Sequence, residues 1–315
     1  MEFLKKIPAF ILILRPKNLV ITGTTLYILQ YHVIKPLLPG ELALDSLTFV
    51  LFMTTTLFIV ASGNLVNDIF DQKTDKINKP DKTFIPDIIP TKIAWIYYCF
   101  LLTAGAIAAC YVAWQTNRWY NIWFYPLACV TLFQYAKSWK SSIITGNIII
   151  SLMVAVAWGI LFYVQISQDN QWVWTDTTLP ENRVLLEIFF AYFFFAFFIN
   201  FIREIIKDLE DMKGDSAAAI QTLPIVKGEK YTLQIVYGLI LILVMAITSW
   251  FMLSSVIAEY PIRFFYLLFV SGPLLQVFII LKANPSPATY SKASKMIKLV
   301  MVFALIALLL IQKKY

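Results

Sequence analysis

Charged residues are scarce in this sequence. Only 14% of its 315 residues are charged and 59% are hydrophobic, whereas a soluble domain has about 25% charged and about 45–50% apolar residues. A soluble core of this length could not hide so much apolar surface, because the outside of the molecule is too small to cover it. The composition therefore excludes a soluble enzyme and a disordered chain, and it predicts that lipid is the solvent for most of the chain.

Residues that form disulfides or bind soft metals are also few. Cys99, Cys110 and Cys129 lie inside apolar runs without a CxxC spacing, and the only histidine, His32, lies toward the end of the first predicted helix. We interpret the cysteines as small buried side chains and His32 as structural. The net charge of +7 does not indicate a nucleic-acid partner, because the basic residues form no stripe interleaved with aromatic residues.

Long apolar runs dominate the chain. A membrane helix needs about 20 mostly apolar residues. We expect no cleavable signal peptide, because no small-residue cleavage site follows the first apolar stretch. We therefore predict an all-α polytopic membrane protein, a bundle of nine transmembrane helices that forms one domain over residues 1–315. The predicted helices are 16–37, 46–67, 92–114, 119–138, 142–167, 183–206, 231–253, 264–283 and 294–312.

Basic residues are distributed unevenly between the two predicted sides. Nine crossings place the N-terminus and the loops after the second, fourth, sixth and eighth helices together, and 20 of the 26 Lys and Arg residues fall there. By the positive-inside rule this side is cytoplasmic, which predicts a protein of the cell membrane with its N-terminus inside. We assign no catalytic or binding role to the longest outer loop, 168–182.

Two acidic clusters share one spacing. Asp68, Asp71 and Asp75 follow the second predicted helix, and Asp residues at the same i, i+3 and i+7 spacing follow the sixth, at Asp208, Asp211 and Asp215. This spacing places three carboxylates on one helical face, where they repel one another and call for a compensating cation. Four crossings separate the two clusters, so both are expected on the cytoplasmic side, facing one cavity.

The residue types in these clusters favour magnesium and diphosphate. Mg²⁺ prefers carboxylate, water and phosphate oxygens, and a diphosphate also needs direct hydrogen bonds from cations. Arg203 and Lys207 lie just before the second cluster, on an otherwise apolar helix. A cation-coupled transporter is the alternative of another class, because paired intramembrane acids also occur in ion pathways.

These motifs resemble those of the UbiA superfamily of intramembrane prenyltransferases. Asn67-Asp68-x-x-Asp71-x-x-x-Asp75 matches its NDxxDxxxD motif, and Asp208-x-x-Asp211-x-x-x-Asp215 matches its DxxDxxxD motif. The helix number and the motif positions agree too, so the resemblance covers nearly the whole chain. It implies a UbiA-type bundle with a central cavity open to the cytoplasmic side and the membrane. Weaker matches are Arg15-Pro16-x-Asn18, Tyr135-x-Lys137-x-x-Lys140 and Gly146-Asn147.

The resemblance implies Mg²⁺-dependent transfer of a prenyl group from an isoprenyl diphosphate to a lipophilic acceptor, without an obligate protein partner. Asp68, Asp71, Asp208 and Asp211 would be catalytic, and with Asp75 and Asp215 they would hold the metal. The family also assigns substrate contacts to positions that correspond to Asn18, Asn67, Lys140 and Arg203. Lys207 joins these predicted substrate-binding residues because of its position just before the second cluster. An allylic cation favours aromatic faces, and Phe197 and Phe201 are candidates to line the prenyl tunnel.

One stretch departs from the family, and one suggests a branch. Where many members read N-x-P-x-R-P, this chain has Lys82 and Thr83, and lysine does not bind bidentately as arginine does. The stretch from Arg203 to Asp211, followed by Thr222-Leu-Pro224, looks most like the geranylgeranylglycerol-phosphate geranylgeranyltransferase branch, which makes ether lipid precursors. Prenylation of an aromatic acceptor, as in quinone or haem biosynthesis, is the alternative.

Overall fold

The computed structural model describes residues 8–37, 42–78, 80, 83–168, 171–172, 180–254 and 260–310. Within these residues the regular secondary structure is helical except for a hairpin of two-residue strands, β1 (Ser167–Gln168) and β2 (Gln171–Trp172). The α-helices are α1 (Pro16–Ile28), α2 (Ser46–Phe70), α3 (Gln72–Asn78), α4 (Thr91–Gln115), α5 (Phe124–Lys137), α6 (Thr145–Ile166), α7 (Pro180–Ala217), α8 (Leu223–Lys227), α9 (Glu229–Leu253), α10 (Tyr260–Tyr266), α11 (Gly272–Ala283) and α12 (Pro287–Leu308). Helix α1 continues as a π-helix (Leu29–Ile34) and a final α-turn (Lys35–Leu37), and a π-helix (Leu267–Ser271) joins α10 to α11.

The predicted helical class is confirmed for this part of the chain, and each of the nine predicted runs falls mainly on a helical stretch. Six helices among the described residues are long and apolar enough to cross a membrane, which indicates an integral membrane protein: 46–70, 91–115, 145–165, 183–217, 229–253 and 263–283. The other three runs differ for visible reasons. The α-helical parts of α1 and α5 are short, with 13 and 14 residues, and α12 includes Lys292, Lys295 and Lys298. That all nine runs cross the membrane stays a prediction.

Helix ends follow ordinary capping chemistry. Asp45 precedes α2, and its Oδ1 accepts a hydrogen bond from the Thr48 N–H at 2.7 Å. Ser286 caps α12 in the same way by accepting from Thr289, and Pro287 occupies the first turn. Gly228 separates α8 from α9 with a φ of +86°, a left-handed conformation that glycine adopts without steric cost.

The chain divides into two compact units, and neither is a continuous piece of sequence. The first unit comprises Met1–Thr24, Leu44–Gly146 and Lys213–Gln221, and the second comprises Thr25–Ala43, Asn147–Met212 and Thr222–Tyr315. The first acidic motif belongs to the first unit. The second motif is divided, because Asp208 and Asp211 belong to the second unit and Asp215 to the first.

In the first unit, α2 packs along α4 and α5, and small residues allow the close approach. A methyl group at Gly63 would lie 2.9 Å from Leu132, and one at Gly105 would lie 3.1 Å from Phe58. Membrane helices use such residues at contacts because apolar burial alone does not bring helices together in lipid. The core of this unit comprises Ala9, Ile13, Ala61, Leu65, Val66, Ile69, Ile85, Ile89, Ala94, Tyr98, Leu101 and Ala136.

The second unit has buried polar pairs among its apolar side chains. Gln165 donates its amide to Gln30 at 2.7 Å, and both side chains are fully buried. The hydroxyl of Tyr192 is hydrogen-bonded to that of Tyr266 and donates to the carbonyl of Ala304 at 2.9 Å. The Gln165 amide and the Tyr192 hydroxyl are thereby paired in an apolar interior, where an unpaired polar group is costly.

Candidate functional site

The first acidic motif lies where α2 ends. Asp68 is in the last turn of α2, Asp71 is the residue between α2 and α3, and Asp75 is on α3. The backbone continues in a nearly helical course, because the N–H of Asp71 donates to Asn67 and the N–H of Asp75 donates to Asp71, both at 2.9 Å. The expected stacking of three acids therefore crosses a junction between two helices instead of following one helix.

Two cations from distant parts of the sequence bind this motif. The guanidinium of Arg15 donates to Oδ1 of Asp68 at 2.6 Å. The ammonium of Lys140, just after α5, donates to Oδ2 of Asp71, which also accepts from the amide of Asn67. Asp71 is only 6% exposed, so its charge is compensated at close range, as a buried carboxylate requires.

Several carboxylates act together on the ammonium group of Lys140. Burial lowers the pKa of Lys140, but the carboxylates of Asp71, Asp75 and Asp215 together raise it by more, so the pKa lies above its ordinary value. Lys140 is therefore charged at neutral pH. Asp215, the last acid of the second motif, acts on the same cation as two acids of the first.

The segment that precedes α1 is held in an unusual conformation. Arg15 has a φ of +56°, a left-handed conformation that costs a residue with a Cβ about 1–2 kcal/mol. Asn64 on α2 donates its amide to the carbonyl of Leu14 at 3.1 Å, and the Asp68 pair fixes the Arg15 side chain. Asn18 follows in the first turn of α1, where its N–H donates to the carbonyl of Arg15 at 2.8 Å.

A backbone contact holds Asp215 in the first unit. The N–H of Gly214 donates to Oδ1 of Asn78, at the end of α3, at 2.8 Å. A Cβ at position 214 would overlap the Asn78 amide. Glycine at this position therefore allows α3 to approach the end of α7 closely, beside Asp215.

The second motif follows one unbroken helix. Asp208, Asp211 and Asp215 all lie on α7, which extends to Ala217, so the predicted spacing holds without a junction. Asn147, in the first turn of α6, donates to Oδ2 of Asp208 at 2.7 Å. Lys207 lies 4.0 Å from Asp211, an i, i+4 pair within the helix.

Arg203 lies one turn before Lys207 on the same helix. Its guanidinium donates to Glu204, and both side chains are 14% exposed. The Nε of Arg203 is buried and has no hydrogen-bond partner among the described residues. Arg203 therefore retains donor capacity for an anion.

Aromatic residues precede the second motif along α7. The rings of Phe197 and Phe201 stack with centroids 5.8 Å apart and planes 13° apart. Phe201, three residues before Glu204, is only 8% exposed. The stack gives the apolar part of α7 an aromatic surface close to its charged end, and its assignment to a prenyl tunnel stays a prediction.

The structure places the predicted residues in two sets. The first unit holds Asn18, Asn67, Asp68, Asp71, Asp75, Lys140 and Asp215, and the second holds Arg203, Lys207, Asp208 and Asp211. Lys82 and most of the loop 168–182 lie outside the described residues. Sequence reasoning did not assign Arg15, Asn64, Asn78 or Asn147 to the site, although the weak matches at Arg15-Pro16 and Gly146-Asn147 indicated two of them.

The donor set is composed of hard oxygens. Within the described ranges, no group of three or more His, Cys, Asp and Glu side chains is close enough together to hold a metal ion by itself. Mg²⁺ sites commonly use one or two carboxylates, with water and substrate phosphates as the remaining ligands. The acids of the two motifs fit that pattern, because each motif offers carboxylates without forming a complete cage.

Comparison with known proteins agrees with the motifs. Residues 33–309 match the model of the UbiA prenyltransferase family. A relative from Methanobrevibacter smithii named digeranylgeranylglyceryl phosphate synthase is 28% identical over 261 residues, which is 82% of this chain and 84% of the relative.

Solved structures show the same fold. A structure described as digeranylgeranylglyceryl phosphate synthase in membranes aligns with a TM-score of 0.63 at 23% identity, covering 98% of each chain. A UbiA homologue from Archaeoglobus fulgidus bound to GPP and Mg²⁺ aligns with a TM-score of 0.57 at 16% identity, covering 95% of this chain and 99% of that one.

Proposed function

The chain belongs to the UbiA prenyltransferase family, and from that premise we propose that it transfers a prenyl group from an isoprenyl diphosphate to geranylgeranylglyceryl phosphate in a Mg²⁺-dependent reaction. The family assignment confirms the resemblance expected from the two acidic motifs. It also favours a prenyltransferase over a cation-coupled transporter.

The observation that carries this proposal is the arrangement around the first motif. Asp68 and Asp71 are each bound by a cation of the chain, Arg15 and Lys140, and Asp215 lies within the electrostatic range of Lys140. Alternating carboxylates and cations suit a diphosphate, because the carboxylates would hold a divalent metal ion and the cations would donate charge-assisted hydrogen bonds to the phosphate oxygens. Asn18 and Asn67 would add neutral donors in the same unit.

We propose that Asp68, Asp71, Asp75, Asp208, Asp211 and Asp215 hold Mg²⁺ together with the diphosphate. When bound, the metal acts as a Lewis acid that makes the diphosphate a better leaving group. The bond between C1 of the prenyl chain and the diphosphate oxygen breaks, and the diphosphate leaves with the electron pair. A bond forms between C1 and the acceptor hydroxyl oxygen, and the hydroxyl proton is released to water.

The basic side chains of the protein would stabilise negative charge during this step. Lys140 and Arg15 stabilise negative charge at the first motif, and Arg203 and Lys207 supply positive charge next to the second. These groups are already ordered by neighbouring carboxylates, so little reorganisation accompanies the reaction. The stacked Phe197 and Phe201 rings are suited to contact the prenyl chain and to stabilise positive charge on its first carbons.

The choice of acceptor is supported by relatives. The M. smithii relative is named digeranylgeranylglyceryl phosphate synthase, and the stretch from Arg203 to Asp211 resembles that branch. A glycerol-phosphate ether is amphipathic, which suits an enzyme whose apolar helices end in charged motifs. An aromatic acceptor lacks the phosphate group and is therefore the natural comparison in the assay.

The topology is part of the proposal. Nine crossings with the N-terminus in the cytoplasm place both motifs on the side where 20 of 26 basic residues lie. Each of the two units is made of three separate segments of the chain. Since neither unit is a continuous segment, the division of the sequence supports one domain over the whole chain. We place the protein in the cell membrane.

The test is transfer by the purified protein in detergent. We expect geranylgeranyl diphosphate, Mg²⁺ and geranylgeranylglyceryl phosphate to give a product with a second prenyl chain, detected by mass spectrometry. EDTA should abolish it, and Mg²⁺ should restore it. Asp68→Ala and Asp208→Ala should each lose the product, whereas Asp87→Asn, which changes an exposed acid outside the motifs, should retain it.

The acceptor panel separates the remaining possibilities. A product formed only on hydroxybenzoate or naphthoate acceptors would keep the reaction class and overturn the lipid acceptor. Transfer that is indifferent to EDTA would contradict the metal dependence. Failure to bind geranylgeranyl diphosphate in the presence of Mg²⁺ would overturn the proposal as a whole.

A further inference from the structure

A chain of buried polar side chains joins α6 to α7 within the second unit. Asn147 donates its Nδ2 to Oδ2 of Asp208 at 2.7 Å. One turn further along α6, the Ser151 hydroxyl donates to the carbonyl of Asn147 at 2.6 Å. Asn200, two turns before Asp208 on α7, donates its amide to Ser151 Oγ at 3.3 Å. The two helices are therefore linked twice by amides, and one of the two links ends on an acid of the second motif.

These side chains are buried in surroundings where a polar group without a hydrogen bond would cost free energy. Asn147 is 5% exposed, Asn200 is 6% exposed and Ser151 is fully buried. Each buried amide must be hydrogen-bonded to be tolerated in such surroundings. The Asn147 bond has a good length and a charged acceptor, so it is the stronger of the two links.

The Asn147 bond restricts how the Asp208 carboxylate can be oriented. An aspartate side chain rotates about two torsions, and an N–H that binds one oxygen limits both. A carboxylate has two oxygens with about four lone-pair positions, and the Asn147 N–H occupies one of these positions on Oδ2. The donor is also neutral. An Asn at this position orients the carboxylate without the positive charge that would compete with a metal ion.

The first motif differs in this respect, because its Asp68 and Asp71 are bound by Arg15 and Lys140. At Asp208, by contrast, the donor is a neutral amide from another helix. Residues that orient a ligand through such a hydrogen bond commonly change metal affinity or activity about 10–100-fold when they are replaced.

We propose that Asn147 is a positioning residue that orients the Asp208 carboxylate for binding a divalent cation, while the Ser151–Asn200 link only packs α6 against α7. The inference rests on the proposed function, in which Asp208 is a metal ligand. It extends the site to a residue on α6 that the acidic motifs do not include.

The test compares two matched variants of the full-length protein in detergent. Asn147→Ala and Asn200→Ala each remove one buried amide between the same two helices, so both are expected to lower the melting temperature, Asn147→Ala by somewhat more because its bond is the stronger. Binding of Mn²⁺ in the presence of geranylgeranyl diphosphate, without acceptor, is measured from the EPR signal of free Mn²⁺. We expect Asn147→Ala to weaken Mn²⁺ binding about 10-fold or more and Asn200→Ala to leave it within about twofold.

A double variant shows whether the effect passes through Asp208. If Asn147 acts by orienting this carboxylate, adding Asn147→Ala to Asp208→Ala produces no further loss of Mn²⁺ affinity, because coupled residues are not additive. Asn147→Ser retains a small polar side chain at the start of α6, but its hydroxyl is too short to replace the amide. It provides the same comparison if the alanine variant does not fold.

The outcomes separate this inference from the proposed function. Equal loss of Mn²⁺ affinity in the Asn147 and Asn200 variants would overturn it, because helix packing would then explain both. Unchanged affinity in Asn147→Ala, together with lost affinity in Asp208→Ala, would overturn the positioning role and leave the proposed function intact. If the unaltered protein binds no Mn²⁺ with the diphosphate, both fail.

Discussion

The two acidic motifs have the same spacing and different surroundings. In the first, Asp71 lies at a junction between helices and is bound by Lys140, a cation 69 residues away in sequence. In the second, Asp208 and Asp211 lie within one continuous helix, where Asp208 accepts from a neutral amide and Asp211 lies near a lysine of its own helix. Identical spacing therefore does not give identical electrostatics, because the partners come from other segments.

This difference has a consequence for stability. A buried carboxylate bound by a distant cation depends on tertiary structure, and removing the cation leaves a charge in an apolar environment. A pair within one helix is partly solvated and contributes little. We therefore expect substitutions of the cations bound to the first motif to be costly for folding, and substitution of Lys207 at the second motif to be nearly neutral.

The largest expected effect is that of Lys140→Met. The substitution leaves Asp71 buried without its cation, and we expect a loss of about 3 kcal/mol in unfolding free energy. Thermal unfolding in detergent would measure it. Lys137→Met, at an exposed lysine in the last turn of α5, is the matched control and should change stability by less than about 0.5 kcal/mol. Equal effects of the two would show that Asp71 does not depend on Lys140.

Arg15→Met should have a smaller effect. The Arg15 side chain is 39% exposed and Asp68 is 18% exposed, so water replaces part of the lost interaction and the cost should be about 1 kcal/mol. Arg15→Gly removes the same ion pair but adopts the positive φ without a Cβ penalty. It should therefore be more stable than Arg15→Met in the same thermal measurement, and the reverse order would contradict the role of the backbone conformation.

The contact between Asn78 and Gly214 tests how Asp215 is held beside the first motif. Asn78→Ala should cost about 1 kcal/mol by removing the hydrogen bond to the Gly214 N–H. Gly214→Ala should raise the stability of the unaltered protein little, because the alanine Cβ would displace the Asn78 amide. In the Asn78→Ala background the same change should stabilise by up to about 1 kcal/mol through helix propensity.

A thermal double-mutant cycle measures this difference. Gly238→Ala, at a helical glycine where a Cβ would meet nothing within 4 Å, should behave the same in both backgrounds. If Gly214→Ala is equally stabilising in both backgrounds, the contact does not position the end of α7.

Lys207→Met should have the smallest effect on folding. Lys207 and Asp211 are 4.0 Å apart, with side chains 29% and 17% exposed, and i, i+4 pairs contribute about 0.3–0.5 kcal/mol. We expect a melting temperature close to that of the unaltered protein and a raised KM for the prenyl diphosphate. A loss of stability as large as that of Lys140→Met would show that the two motifs are not different in this respect.

Some of the site could be predicted from local sequence. The hydropathy indicated the helical segments because about 20 apolar residues in a row are needed to cross lipid, and the acids were recognisable because charge is rare in such a chain. The spacing of Asp208, Asp211 and Asp215 held because α7 continues through all three. The expectation that the acids lie on one continuous helix was less accurate for the first motif, because α2 ends just before Asp71.

Other features had no local signal. Nothing in the stretch around Lys140 shows that it binds Asp71, since many lysines near helix ends serve only to orient the chain. Asn147 and Asn78 are ordinary polar residues until Asp208 and Gly214 are brought next to them. The left-handed conformation of Arg15 is also unexpected, because a residue before proline usually prefers an extended conformation.

The sequence by itself determined the membrane environment, the helical class and the two sets of carboxylates, because these depend on hydropathy and on residue spacing along a helix. Only the tertiary structure decided which group binds each carboxylate: Arg15 for Asp68, Lys140 for Asp71 and Asn147 for Asp208. Such partners are separated by 53 to 69 residues, and the folding that joins them depends on the packing of whole helices. For that reason the acids were evident from the sequence, while their electrostatic surroundings required the fold.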